Sequence, residues 1–233
     1  MRFAHFSLAH FDHLLLICTA AVALCLVYRA GDGRRRRALR LSLAIGNVAL
    51  SLLRGAVLIA MGEFGIERLP LHLCGMAVYF CFFHALRPGA LISQFLLAFC
   101  MPGALAALLF PDWVGYPPWG FISVCNFSIH ALIVIYVLMQ LSGGDIRRRA
   151  RLLPACLGLM LLIAVPVYVF NSLMGTNYMF LSYPAQDSPL ELFSFLGRPG
   201  YILGFLPMLA MVWAAIYLPH EKNRGAQAGN GAV

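Results

Sequence analysis

The chain has 233 residues, of which 61% are hydrophobic and 11% are charged, whereas a soluble domain carries roughly 25% charged residues. That much apolar side chain exceeds what a soluble fold of this length can bury, and the low charge also excludes a disordered chain. The formal net charge of +8 would suit nucleic acid, but the basic residues cluster in short connections between apolar runs, as in a multi-pass membrane protein.

Seven apolar runs follow one another along the chain, each of about the 20 residues that a helix needs to cross a bilayer. Most connections are short, and only residues 171–199 form a longer one, which we expect to fold back over the helix ends. We predict an all-α integral membrane bundle of seven transmembrane helices, a single domain over residues 1–233 with a flexible cytoplasmic tail at 219–233. The runs are Phe11–Tyr28, Leu41–Met61, Leu69–Leu86, Gly89–Phe110, Phe121–Leu141, Leu152–Phe170 and Gly200–Leu218.

The basic residues predict the orientation of this bundle. The first run is expected to be a retained helix rather than a signal peptide, because its arginines follow the apolar core instead of preceding it. With the N-terminus outside and the C-terminus in the cytoplasm, thirteen Lys and Arg residues fall inside and three outside, as the positive-inside rule requires. The arginines at 34–37 are therefore interpreted as topology signals and lipid contacts, and the membrane as the inner (plasma) membrane of a bacterium.

Prolines and cysteines lie within the apolar runs. Pro102, Pro166 and Pro207 each predict a departure from a straight helix, and each frees a carbonyl that the bundle must satisfy. The seven cysteines are spread over different runs without a CxxC pair, which argues against a disulfide framework or a zinc motif. We expect no metal, no cofactor and no nucleic-acid partner, and we leave the oligomeric state open.

Polar residues at membrane depth are the natural candidates for function, because they are costly there. Asn47 and Arg54 are seven residues apart and share one face of the second helix. Arg54 lies about 10 Å in from Met61 at 1.5 Å per residue. It either extends outward to Glu63 and Glu67 or lipid phosphate, or faces a cavity that holds an anionic head group.

The third run carries a second candidate site. Pro70 is expected in the first helical turn, which places His72 and Cys74 close to the outer helix N-terminus, where the helix dipole favours a thiolate. These two side chains point about 200° apart at 100° per residue, so the base for Cys74 must come from another helix. His130 is the best candidate, with Asn126 one turn before it as the orienting group.

A cysteine paired with an oriented histidine is the usual arrangement for acyl transfer through a thioester. The alternative is that Cys74 is a small packing residue of the bundle. His84, near the inner end, is interpreted as an interfacial anchor.

Four sequence patches, in this order, resemble the YwaF-like membrane proteins. They are LPLHLCGMAVYF at Leu69–Phe80, PGALAALLFPDW at Pro102–Trp113, NFSIH at Asn126–His130 and GTNYMFLSYP at Gly175–Pro184. The resemblance covers roughly Leu69 to Leu218. It extends to a eukaryotic branch of seven-helix phospholipid acyltransferases, which move a fatty acyl chain between glycerophospholipids without acyl-CoA.

That resemblance implies a catalytic cysteine and histidine at Cys74 and His130, with membrane phospholipids as partners. Asn126 would orient the imidazole. The expected substrate-binding residues are Arg54, His72, Asn177 and Asn47. The alternatives are a small permease for an anionic solute, a non-catalytic protein that binds lipids or a partner, and a metal transporter.

Overall fold

A computed structural model describes residues 4–185 and 188–229, with side chains to Leu218. The predicted tail at 219–233 is described as backbone only, where it continues the last helix to Gly229, and residues 230–233 lie outside the described part of the chain. Over these residues the fold is helical and contains no strand. The helices are α1 (Leu8–Ala30), α2 (Gly33–Ala60), α3 (Leu73–Leu86), α4 (Ala90–Leu109), α5 (Phe121–Gly143), α6 (Leu153–Met174) and α7 (Phe205–Gly229). Short 3-10 turns lie at Ile66–Arg68, Ala150–Leu152, Tyr178–Phe180, Pro189–Leu196 and Gly200–Gly204.

The helix lengths confirm a multi-pass membrane bundle. Six helical segments of the described chain are long and apolar enough to cross a membrane. The remaining helix, α3, has 14 residues, about 21 Å at 1.5 Å per residue, which is shorter than the ~30 Å hydrocarbon core. The expectation that Pro70 opens this helix is wrong, because Pro70 lies in a turn and α3 begins at Leu73. The count of seven crossings and the orientation stay predictions.

Large apolar side chains cover the outside of the bundle. On α1, Leu15 is 68% exposed, and on α6 Leu162 and Leu173 are 72% and 77% exposed. Apolar surface on this scale is not left in water by a monomeric protein. These faces therefore identify the lipid-facing side of the helices.

The centre of the bundle is α5, which is buried along most of its length. Helices α1, α2 and α4 pack directly on α5, whereas α3 packs mainly on α2. The starts of α1, α3, α5 and α7 and the ends of α2, α4 and α6 meet at one end of the bundle, here named the site end, and the other end is named the far end. The site end carries the predicted catalytic and substrate-binding residues.

Pro102 shapes α4 as expected from its missing N–H. The five residues Leu96–Cys100 form a π-helical stretch immediately before it. The carbonyl of Ala98, four residues before Pro102, receives a hydrogen bond from the indole Nε1 of Trp213 at 3.1 Å. The carbonyl freed by the proline is thus satisfied within the bundle, and the bond ties α7 to α4.

Two polar groups at the far end differ from the sequence-based expectation. His84 is 1% exposed and bonds the hydroxyls of Tyr136 and Ser93 at 2.8 and 2.9 Å, so its interpretation as an interfacial anchor is wrong. Arg36 is half-buried, unlike the exposed Arg34, Arg35 and Arg37. Its guanidinium donates to backbone carbonyls at the ends of α1 and α5.

Candidate functional site

One turn of α5 holds the predicted catalytic base. Nδ1 of His130 lies 2.7 Å from the backbone carbonyl oxygen of Asn126. Because a carbonyl can only accept, Nδ1 must carry the hydrogen, and Nε2 of the neutral ring is left with a lone pair. The imidazole is therefore held in the tautomer of a general base. The backbone of Asn126, rather than its side-chain amide, provides this orientation.

The amide of Asn126 binds Arg54 instead. Nη1 of Arg54 donates to Oδ1 of Asn126 at 2.6 Å, and Nε of Arg54 is buried without a partner. Arg54 does not reach outward to Glu63, which accepts a hydrogen bond from the hydroxyl of Tyr116 at 2.6 Å. The side chain of Arg54 is thus directed across the bundle to α5.

Asn47, expected to contact substrate, lies deeper on the same face of α2. It is 2% exposed, and its Nδ2 donates to the carbonyl of Ile129 at 3.3 Å. Asn47 and Arg54 therefore both fasten α2 to α5, one at each end of a two-turn interval. The position of Asn47 is that of a packing contact.

Cys74 lies in the first turn of α3, close to the helix N-terminus as predicted, although the helix begins at Leu73 rather than at Pro70. Cys74 is a free, half-buried thiol packed against the apolar core. At Gly75 a Cβ atom would lie 3.0 Å from the backbone of Pro70, tighter than an ordinary contact. The glycine thus lets the 69–72 segment fold closely over the helix start, beside the thiol.

His72 is the N-cap residue of α3, and its ring faces the long connection between α6 and α7. Nδ1 accepts a hydrogen bond from the backbone N–H of Met179 at 3.2 Å. The neutral ring must then carry its hydrogen on Nε2. His72 is a donor at Nε2, whereas His130 is an acceptor there, so the two histidines offer opposite hydrogen-bonding character.

The connection between α6 and α7 reaches back to the segment before α3, as expected. The hydroxyl of Tyr178 donates to the carbonyl of Ile66 and accepts from the N–H of Leu69. Burial raises the pKa of this phenol, which keeps its hydrogen available for the bond. Met179 and Phe180 adopt positive φ angles of 56° and 53°, a left-handed conformation that costs non-glycine residues about 1–2 kcal/mol each.

Asn177, another predicted substrate contact, stabilises this same connection. Its Oδ1 accepts from the N–H groups of Ser182 and Tyr183, and its Nδ2 donates to the carbonyl of Tyr183. The polar atoms of the side chain are thus used by the loop itself. Asn177 still forms part of a cavity wall.

A cavity of about 710 Å³ opens at the site end between this connection and the loop after α4. His72 and Asp112 line it, together with aromatic residues of the long connection. Cys74, His130 and Arg54 lie outside the lining of this cavity. The structure therefore separates the predicted residues into a cavity group, with His72 and Asn177, and an α2–α5 group, with Arg54, Asn126 and His130.

Asp112 lines the cavity and is an electrostatic neighbour of residues in both groups, and it was missed by the sequence reasoning. Its carboxyl is close enough to act electrostatically on four of the predicted residues, namely Arg54, His72, Cys74 and His130. No hydrogen bond joins Cys74 to His130 anywhere in the part of the chain that is described. Asp112 sits in a loop, so no helical period pointed to it; only its place in the LFPDW patch could have done so.

Trp113, the next residue, was missed as well. Its ring stacks on that of His130, with centroids 5.0 Å apart and planes at 25°, and meets Phe127 edge-on at 5.2 Å. Trp113 is 6% exposed, and its Nε1 is buried without a hydrogen-bond partner. The indole is thus packed against His130, and its N–H group has no acceptor among the described residues.

Three N-terminal histidines hold the loop that carries Asp112 and Trp113. Nε2 of His5, His10 and His13 donates to the carbonyls of Pro111, Leu108 and Pro118, at 2.9, 2.8 and 2.9 Å. His13 also stacks between Trp119 and Phe127, at 4.2 and 4.3 Å. These histidines attach the N-terminal segment and α1 to the end of α4 and the loop that follows it, and they position the site from one side.

Fold and site together define a multi-pass helical membrane protein with a polar cluster of His, Arg, Asp and Cys at one end of the bundle. The chain matches the TMEM164 family over residues 5–217, and it belongs to that family. This match begins well before Leu69, where the resemblance noted in the sequence starts.

A protein of Treponema pallidum (strain Nichols), described as uncharacterized, is 27% identical to this chain over 193 residues. The alignment covers 78% of this chain and 76% of that protein. No solved structure matches the chain. The YwaF-like resemblance and an acyltransferase activity stay predictions.

Proposed function

We propose that this protein is an acyltransferase that moves a fatty acyl chain between glycerophospholipids within the membrane. Cys74 is the nucleophile, and His130 is the general base and then the general acid. The observation that carries the proposal is the tautomer of His130, whose Nδ1 donates to the Asn126 carbonyl at 2.7 Å. A histidine locked in this way presents Nε2 as a base, which is what a thiol nucleophile needs.

The reaction follows from these two groups. Nε2 of His130 takes the thiol proton of Cys74, and Sγ attacks the ester carbonyl of a phospholipid to form a C–S bond. The carbonyl electrons return from the oxyanion, the C–O bond breaks, and His130 gives its proton to the departing lysophospholipid oxygen. Attack by the hydroxyl of a second lysophospholipid on the thioester, in the reverse order, restores the thiol.

The surroundings of the two residues support a lipid substrate. Cys74 and His130 share Asp112 as an electrostatic neighbour, which indicates that they flank the same region of the site end. The proposal requires Sγ and Nε2 to approach each other when lipid binds. Exposed apolar faces on α1 and α6 mean that a phospholipid reaches the bundle without leaving the bilayer.

The arrangement along α5 favours an enzyme over a permease. Between His130 and Tyr136 the helix carries only Ala, Leu, Ile and Val residues, and Ile133 and Val134 among them are buried. A polar path for an anionic solute would have to cross this interval. The polar residues of α5 instead form two groups, one on each side of this apolar interval.

Lipid exchange in proteoliposomes tests the proposal. The purified protein is reconstituted with a diacyl phospholipid and a lysophospholipid of a different head group, and mass spectrometry follows acyl chains that appear on the second head group. We expect transfer by the wild type, none by Cys74→Ala, and at least a 100-fold loss in His130→Ala, since general base catalysis contributes typically 10²–10⁴-fold. Neutral hydroxylamine should release an acyl group from residue 74.

Matched controls separate chemistry from folding. Cys18→Ala removes an exposed thiol on α1 and Cys125→Ala a buried one on α5, and both should keep transfer. Full acyl transfer by the Cys74→Ala variant would refute the proposed mechanism, in which Cys74 is the nucleophile. Uptake of a soluble anion by liposomes that contain the wild type, without any acyl exchange, would favour the permease instead.

A further inference from the structure

Two buried donors near His130 have no partner. Nε1 of Trp113 and Nε of Arg54 are both buried without a hydrogen bond in the described residues. Each of these nitrogens can only donate. An unpaired buried donor is costly, so a pair of them at one site indicates a ligand that brings acceptor oxygens.

The two donors, one on α2 and one in the loop after α4, contact the same turn of α5. The ring of Trp113 lies against His130, with centroids 5.0 Å apart. Arg54 is anchored through Nη1 to Asn126, the residue whose carbonyl holds the same imidazole. Both donors are rigid, because Phe127 supports the indole from its edge and Asn126 fixes the guanidinium.

We propose that Trp113 Nε1 and Arg54 Nε bind the ester carbonyl oxygen of the transferred acyl chain and stabilise the oxyanion that forms when Cys74 attacks. This inference rests on the proposed acyl transfer and assigns a catalytic role to Trp113. In that step the carbonyl π electrons move onto oxygen as the C–S bond forms, and the two N–H donors hold the charge until the C–O bond breaks. Preformed donors of this kind act most strongly in a site without water.

The first arm of the test measures binding of the ester carbonyl and does not depend on acyl transfer. The chain has three tryptophans, so a ¹⁵N-indole-labelled protein gives three side-chain N–H resonances, and Trp113→Phe identifies one of them. The protein is placed in nanodiscs of dialkyl-ether phosphatidylcholine, which has no ester carbonyl. Addition of diacyl phosphatidylcholine should move the Trp113 resonance downfield and leave those of Trp119 and Trp213 in place.

The second arm measures transfer by Trp113→Phe, which keeps an aromatic ring against His130 and removes only the N–H group. We expect a loss of about 10²–10³ in kcat with KM little changed, as for other oxyanion donors. Trp119→Phe removes the indole N–H of an exposed residue and should keep wild-type kcat.

The outcomes separate the two proposals. A downfield shift without any acyl transfer by the wild type supports carbonyl binding and overturns the proposed acyltransferase activity. A Trp113 resonance that does not move when the diacyl lipid is added overturns the carbonyl site. If that resonance is already downfield in the dialkyl-ether nanodiscs, the donor binds the phosphate instead. Transfer by the wild type with unchanged kcat in Trp113→Phe overturns the donor role alone.

Discussion

Arg36 is expected to stabilise the fold, unlike the three arginines beside it. Its Nε donates to the carbonyls of Tyr28 and Gly31 at 3.1 and 3.0 Å, and Nη2 donates to that of Arg29 at 3.0 Å. Nη1 donates to the carbonyl of Gly143 at 2.9 Å and lies 3.6 Å from the carboxylate of Asp145. One guanidinium therefore caps the C-terminal ends of α1 and α5 and joins them.

The magnitude follows from these bonds. A hydrogen bond that involves a charged group contributes about 1.5–3 kcal/mol. The side chain is 26% exposed, and Gln would keep one amide NH₂ group as a donor, so the several bonds do not simply add. We expect Arg36→Gln to lower the free energy of unfolding by about 2–3 kcal/mol, which for a chain of this size is a fall of about 4–12 °C in Tm.

The buried cysteines provide the assay. Cys81, Cys100, Cys125 and Cys156 are buried and free, so a thiol-reactive fluorophore reports thermal unfolding of the detergent-purified protein. Arg37→Gln is the matched control, because it removes the same charge from an exposed neighbour. Equal Tm values for the two variants would refute the capping role and leave all four arginines as topology signals only.

The remaining predictions concern topology and the connection between α6 and α7. A reporter fused after Val233 should be cytoplasmic and one inserted after Pro184 external, since the predicted orientation puts thirteen basic residues inside and three outside; reporters on the same side would contradict a crossing by α7 and, with it, the seven-helix bundle. Met179→Val should unfold at a lower temperature than Met179→Gly, because a β-branched residue at φ 56° adds a cost of about 1–2 kcal/mol that glycine avoids. Identical Tm values for the pair would contradict a strained backbone there.

Several elements of the site were predictable from local sequence rules. Cys74 lies in the first turn of α3, and Asn126 and His130 face each other one turn apart on α5. Helical spacing alone determines such relations, since residues four apart are neighbours on any helix. The same period placed Asn47 and Arg54 on one face of α2, and both contact α5.

Contacts between side chains of different helices could not be predicted from the sequence. The sequence suggested that the side chain of Asn126 orients His130. In the structure this side chain accepts a hydrogen bond from Arg54 of another helix, and the backbone carbonyl of Asn126 orients the imidazole. The sequence also placed His84 at the membrane interface, whereas in the structure its ring is buried and bonds the hydroxyls of Tyr136 and Ser93. A polar side chain near a helix end meets lipid, water or another helix according to packing, which the hydropathy of its own segment does not encode.

Composition and hydropathy by themselves determined that the chain is a helical multi-pass membrane protein, because backbone hydrogen bonds in lipid must be satisfied within each segment. This requirement does not determine where the residues of the loops lie. Asp112 and Trp113 lie in a connection without a periodic pattern, and they reach the site because N-terminal histidines hold that connection by its carbonyls. Only the tertiary structure could bring them beside His130, since their positions depend on bonds that span about a hundred residues of sequence.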